Sequence, residues 1–162
     1  MHYFKPVISN KSLCVVGTIN PWVEAIGCSK IVTLDYTRSI YEYPNLEWLH
    51  VNDYLEEAMK THQLEHFDTV ASFSSLEHAG LGRFGDPINP NGDIEAVRQI
   101  HCMLKPGGLF FLGLPTNDNG SSHIEFNAHR VYGKARLDLI FEGWRYLMSK
   151  KDTNGFHTIF VL

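Results

Sequence analysis

The sequence predicts an α/β fold: a mostly parallel sheet of seven strands, helices between them, and an antiparallel hairpin at the C-terminal end. Three observations carry this. Short apolar runs bounded by turn residues recur along the chain, as strands buried on both faces require. The segments between them carry helix start and stop signals, so the pattern alternates βαβα. The last two apolar runs flank a polar loop containing Asn154-Gly155, which reads as a hairpin.

Taken in order, the predicted strands are Leu13–Gly17, Ile31–Leu34, a weaker Trp48–Val51, Thr69–Phe73, Leu109–Leu114, Trp144–Met148 and His157–Leu162. Between the first two, Asn20 is placed as N-cap, Pro21 at the first helical position and Gly27 at the stop. Asp53 and Glu56 have capping-box spacing and open a short helix through Met59. Ile94, Val97, His101 and Leu104 make one apolar stripe interrupted by a histidine, which is expected to be partly buried. Lys105 suits that helix's negative end, and Pro106-Gly107-Gly108 stops it. A further helix is expected from about Ala128 to Glu142. No internal repeat or linker interrupts the 162 residues, so a single domain is expected over 1–162.

Composition narrows the function classes. At 44% apolar and 12% aromatic, the chain is no disordered segment. Its length suffices to bury roughly 70% of the unfolded surface, so three cysteines read as reduced thiols rather than a disulfide scaffold. Net charge is −4 with Lys and Arg scattered, which argues against a nucleic-acid partner. Nine histidines give the chain unusual scope for proton chemistry near neutral pH. No apolar run reaches the ~20 residues of a membrane span, and no signal-peptide core opens the sequence, so the cytoplasm is the default compartment. Asn10-Lys11-Ser12 and Asn119-Gly120-Ser121 match the glycosylation pattern, a weak signal without a secretory context.

Ligands of open parallel sheets bind beyond the carboxyl ends of the strands. There the first strand delivers Gly17-Thr18-Ile19-Asn20-Pro21, with Gly17 allowing close backbone approach. Asp35 ends the second strand at nearly the ~20-residue offset from which an acid accepts ribose hydroxyls. A turn glycine and an ordinary strand-end acid would look the same. One glycine is too few for a dinucleotide fingerprint, and Pro21 removes an amide donor, so a nucleoside cofactor without a pyrophosphate fits better than NAD. Asp53 is open to two readings, helix capping or contact with an adenine amino group.

The stretch from Ser72 to Pro87 combines Glu77, His78, Arg83 and Asp86 with three glycines, just past a buried strand. A second polar group follows the next strand: Asn127, His129, Arg130 and Tyr132. Acid, imidazole and guanidinium supply proton transfer and anion pairing, and the topology would bring the two groups to one edge. Arg83 and Asp86 are equally explained by pairing with each other, and His129 and Arg130 by a solvated first helical turn. Glu77, His78, Asp86 and His129 are usable metal ligands, but without an i, i+4 His pair no metal is expected.

These residues are similar to a known superfamily. FDTVASFSSLEH, a helix, LKPGG and an apolar strand ending in LP resemble the class I S-adenosylmethionine-dependent methyltransferases. PWVEAIG, VTLDY, SFSSLEHAGLGRFGDP, GDIEAV, LKPGGLFFLGLP and NAHRVYG resemble a domain family of unknown function first described from Caenorhabditis proteins, which would be a divergent branch of it. The resemblance implies a Rossmann-like sandwich with S-adenosylmethionine as cofactor. It implies that Gly17 faces the methionine part, Asp35 the ribose, Asp53 or its neighbours the adenine, and that Ser72 and Phe73 line the pocket. The departure lies in the turn after the first strand, where a glycine-rich stretch is reduced to one glycine. The helices that often cover such a cofactor are expected to be truncated or absent.

Two functions follow. The first is methyl transfer to a small-molecule or sugar-like acceptor, with His78 or His129 as base, Glu77 orienting the imidazole, and Arg83, Asp86, Asn127, Arg130 and Tyr132 as substrate contacts. The second is a non-catalytic methyltransferase-like binding domain that has lost cofactor use.

Overall fold

The computed structural model describes residues 8–18, 23, 28–38, 45–62 and 64–162. The expected helix with Asn20, Pro21 and Gly27 lies outside the described residues. Nine strands are described: β1 (Ser12–Val16), β2 (Lys30–Asp35), β3 (Leu46–His50), β4 (Phe67–Phe73), β5 (Leu104–Pro115), β6 (His123–Ile124), β7 (Arg130–Val131), β8 (Met148–Lys151) and β9 (His157–Val161). The described α-helices are α1 (Val51–Thr61), α2 (Gly92–Met103) and α3 (Lys134–Ile140).

Seven strands hydrogen-bond in the order β3-β2-β1-β4-β5-β9-β8. β1 runs parallel to β2 and β4, and β2 to β3, whereas β9 is antiparallel to both β5 and β8. This is the mostly parallel sheet with a C-terminal antiparallel hairpin that the sequence predicts. Leu13, Cys14, Val15, Val32, Leu34, Val70 and Ala71 are all buried, so both faces of the inner strands are covered.

The chain divides into two compact units, Met1–Ser72 with His101–Phe110, and Phe73–Ile100 with Phe111–Leu162. In the first, β1 and β4 are tied at their starts: the amide and hydroxyl of Ser12 both donate to Asp68, at 3.0 and 2.7 Å. Those bonds, with Lys105 at 3.1 Å, hold the Asp68 carboxyl well below the usual carboxylate range against the opposing effect of burial.

In the second, α2 turns Ile94, Val97 and Ile100 inward; the end of the helix falls in the first unit, where Met103 is buried and His101 is exposed rather than partly buried. Ile100 continues the 3.6-residue stripe, and its side chain takes the place expected of the histidine. Asp93, fully buried at 0% exposure, accepts from the Tyr132 hydroxyl at 2.9 Å and from Arg136 Nε and Nη2 at 2.9 and 2.5 Å.

Three local expectations need correction. Asp53 and Glu56 do not form a capping box, because α1 starts at Val51 and the His50 imidazole caps it by accepting from the Asn52 amide. The helix expected from Ala128 is only Lys134–Ile140. Residues 123–131 instead pair as β6 and β7, and Gly133 lies so close to the Gly120 carbonyl that a Cβ would meet it at 2.2 Å. The hairpin's first strand starts at Met148, not Trp144, because the turn at Phe141–Trp144, with Gly143 at φ 83°, delays it.

Candidate functional site

In the first unit, β1 ends at Val16 and Gly17 breaks away at φ 69°, a conformation that favours glycine. Its amide donates to Leu34 O at 2.9 Å, keeping the turn against the end of β2. Asp35 Oδ2 then accepts the Thr18 amide at 2.9 Å, and Oδ1 accepts that of Thr37 at 2.9 Å. The acid therefore faces the glycine turn. A carboxylate has about four lone-pair sites, and among the described residues these two amides are the donors it accepts.

Tyr36, next to that acid, is 42% exposed, and its ring stands edge-on to His50 at 5.7 Å. His50 in turn lies 6.3 Å from Trp48, whose indole donates to Thr37 O. These rings escaped the sequence reading, although an aromatic residue directly after a strand-end acid is a usable signal. Ser72 is buried with its hydroxyl donating to Val16 O at 3.0 Å, where it braces β1 against β4. Asp53 is exposed in the first turn of α1.

In the second unit, the chain leaves β4 through Ser74, at φ 53°, into a 3₁₀ turn at Leu76–His78. Ser74 Oγ donates to Glu77 Oε1 at 2.8 Å, while Oε2 is buried without a partner. Glu77 is 1% exposed, and burial pushes its carboxyl up to about 7 against the Ser74 bond and a backbone amide. His78 Nε2 is 3.9 Å from Glu77 Oε1, too far for a hydrogen bond. The expectation that Glu77 orients this imidazole is thus corrected: His78 Nδ1 lies 2.7 Å from Ala128 O, to which only an Nδ1–H can donate. Burial, then the nearby Arg83 and His129, lower the His78 pKa despite the Ala128 bond, so the ring is neutral at physiological pH.

Arg83 also donates to Ala128 O, at 3.2 Å. Asp86 turns inward and collects the amides of Gly80, Gly82 and Phe84 at 2.6, 3.2 and 3.2 Å, which keep it ionised despite partial burial. Gly80 sits at φ 79° with no room for a Cβ beside Asn89 O. Asn127 is exposed at φ 50° in the β6–β7 turn. His129 follows it, its ring 5.9 Å from that of His78 and its Nε2 buried without a partner.

Arg130 and Tyr132 lie inside. Arg130 is 2% exposed and donates to the carbonyls of Glu77, Ala79, Asn89 and Pro90, fastening the 76–90 loop. Tyr132 spends its hydroxyl on Asp93. Both therefore have partners within the fold. Phe73 packs its ring 4.8 Å from His157, in the space left by Gly113, where a Cβ would meet the ring at 2.3 Å. Among the described residues, no three His, Cys, Asp or Glu side chains gather as metal ligands would, and no helix is long and apolar enough to cross a membrane.

The raised carboxyl of Glu77 predicts a pH effect. Above the ordinary carboxylate range the unfolded chain releases this proton while the folded chain keeps it until about pH 7. The folded state binds more protons in that window, so stability falls as pH rises through it. Glu77→Gln removes this dependence. Denaturant midpoints should show the variant gaining on the parent by roughly 3 kcal/mol between pH 4.5 and 8. A constant difference across that range would show that Glu77 is ionised in the folded state.

The strand order, with its antiparallel strand next to the edge, and the acid-latched glycine turn at the head of β1 define a Rossmann-like fold of the class I S-adenosylmethionine-dependent methyltransferases. The fold is similar to that of the 1,6-didemethyltoxoflavin-N1-methyltransferase of Burkholderia thailandensis, solved with 1,6-didemethyltoxoflavin and S-adenosylhomocysteine; the TM-score is 0.65 and the identity 11%, over 97% of this chain and 74% of that one. The N-methyltransferase NodS of Bradyrhizobium japonicum, in complex with S-adenosyl-L-homocysteine, gives 0.62 at 14% identity, over 94% and 77%. Fibrillarin of Aeropyrum pernix, with natively bound S-adenosyl-L-methionine, gives 0.59 at 12%, over 96% and 67%. No curated protein matches this chain in sequence. The chain belongs to the family described as Caenorhabditis protein of unknown function, DUF268, whose model matches residues 10–157.

Proposed function

We propose that this protein is an S-adenosylmethionine-dependent methyltransferase acting on a small-molecule or sugar-like acceptor. The observation that carries the reading is the Asp35 carboxylate bonded to the Thr18 amide of the Gly17 turn, with lone pairs left for a ribose diol. Tyr36 adds a half-exposed ring beside the acid, suited to an adenine face. Gly17 lets a ligand approach the backbone where a side chain would block it. Bound there, S-adenosylmethionine supplies a methyl group on an electrophilic sulfonium. The imidazole of His78 or of His129 can take the proton an oxygen acceptor must lose, and Arg83, Asp86 and Asn127 remain candidate acceptor contacts. Ser72, Phe73 and Asp53 have weaker claims on the cofactor, since Ser72 and Phe73 already pack within the fold.

One observation favours the binding-domain alternative: both Asp35 oxygens already accept backbone amides, which closes the turn without any ligand. Calorimetry with S-adenosylhomocysteine decides between them. Saturable binding supports the methyltransferase, and no heat at millimolar ligand leaves the non-catalytic domain.

A further inference from the structure

Three buried polar atoms in the second unit have no hydrogen-bond partner: Glu77 Oε2, His129 Nε2 and His157 Nε2. Buried orphans of this kind are destabilising and rare in folded proteins, so each calls for an explanation such as a bound ligand. His157 was read from the sequence only as a strand residue. Its Nδ1 lies 3.4 Å from Asp152 Oδ2, and the Phe156 amide donates to Asp152 Oδ1 at 3.0 Å, so a fixed carboxylate turns the Nδ1–H toward itself. Nε2 is then an acceptor. Burial lowers the His157 pKa, as does the nearby His129, against the pull of Asp152.

The same groups are threaded through a row of rings. Phe84 stands against His78 at 5.2 Å, His78 against His129 at 5.9 Å, and His129 against Phe156 at 5.7 Å. Phe156 stands against His157 at 4.8 Å, and His157 against Phe73 at 4.8 Å. Phe84 and Phe156 are 49% and 45% exposed. Phe156, half-exposed, thus stands against both orphaned imidazoles.

We propose that this row is a saccharide site, in which a pyranose ring lies on Phe156, the ring that stands against both imidazoles, while its hydroxyls bond to His129 Nε2 and His157 Nε2. The chemistry selects a neutral ligand rich in hydroxyls. The His157 acceptor calls for an O–H donor, a phenyl face suits the C–H side of a sugar, and the one carboxylate at this imidazole, Asp152, is already taken up by Nδ1 and the Phe156 amide. A cation would also meet Arg83, whose guanidinium lies 5.5 Å over the Phe84 ring. The three orphans do not converge as metal ligands. Asp152 is a positioning residue, since it acts through His157. The inference rests on the methyl-transfer reading in that it names the acceptor class, yet the binding stands on the second unit alone.

The test is a titration of the full chain, carrying ¹³C-labelled histidine, with the methyl glycosides of glucose, galactose, mannose and fucose. At least one should move the His129 and His157 imidazole signals saturably at millimolar concentration, leaving those of His50 and His66 in place. His157→Gln should weaken that binding about tenfold, as should Asp152→Asn if it fixes the acceptor tautomer; Phe156→Ala, on a half-exposed ring, should weaken it severalfold. The proposal is overturned if none of the four glycosides moves these signals, if all histidines move alike, or if Zn²⁺ alone saturates the imidazoles at micromolar concentration. S-adenosylhomocysteine calorimetry on the same samples separates the two readings. Cofactor binding without glycoside binding removes only the saccharide site, and the reverse removes only the methyltransferase.

Discussion

Asp93→Asn is expected to destabilise the protein by about 3–5 kcal/mol, the largest effect of any single polar substitution considered. Asp93 is wholly buried and accepts from the Tyr132 hydroxyl and twice from Arg136, while Arg130 Nε stands 3.8 Å away. Neutralising the carboxyl leaves the guanidinium of Arg130, itself buried, without the charge that compensates it, and removing one partner of a buried pair is far worse than removing both. The same carboxylate and burial push the Tyr132 hydroxyl far above its usual range, so it stays a donor at any working pH. Tyr132→Phe is the graded control: it takes away one hydrogen bond and should lower stability by about 1–2 kcal/mol. Urea melts followed by circular dichroism measure both. Asp93→Asn within 1 kcal/mol of the parent would show that the charge at this point does not hold the second unit together.

Asp35→Ala should weaken S-adenosylhomocysteine binding about a hundredfold, with a far smaller effect on folding. Two charge-assisted hydrogen bonds to a ribose diol are worth roughly 1.5–3 kcal/mol apiece, and either figure exceeds tenfold in affinity. The fold loses only the acceptor for the Thr18 and Thr37 amides, both close to the unit's surface. Asp35→Asn keeps one acceptor oxygen and should fall between parent and alanine variant. Calorimetry and thermal melts on the same samples separate ligand loss from unfolding. An unchanged dissociation constant in Asp35→Ala would remove the nucleoside from this turn.

How much of this was legible depended on how local each signal was. The inner strands could be read because burial on both faces writes a continuous apolar run, as in Leu13–Val16 and Val70–Phe73. Gly17 and Asp35 were legible because fold topology puts both at the carboxyl ends of neighbouring strands. Asp93 was not, since its partners Tyr132 and Arg136 lie some forty residues away and nothing at GDIEAV marks the acid as buried. β6 and β7 are two residues each, too short to carry any periodicity, so the stretch read as a helix start. Arg130 and Tyr132 looked like surface chemistry because a basic and a phenolic group seldom enter a core, and the polar–apolar order of Arg130-Val131-Tyr132 conceals that all three are buried. The Asp152–His157 pair could have been found by asking which side chains meet across the Asn154-Gly155 turn.

The placement of β9 bears on how the molecule is made. β9 follows both of its neighbours in the chain, yet it lies between β5 and β8 and not at a margin. As the chain emerges from the ribosome, β5 waits for the ribbon that joins it to β8, because the pairing of Phe111–Pro115 with β9 spans more than forty residues, whereas β8 precedes β9 by one short loop. The nascent domain therefore presents two unfilled backbone edges until Val161 clears the exit tunnel, and a stalled or prematurely released chain would be a substrate for chaperones, not a smaller working version of the protein.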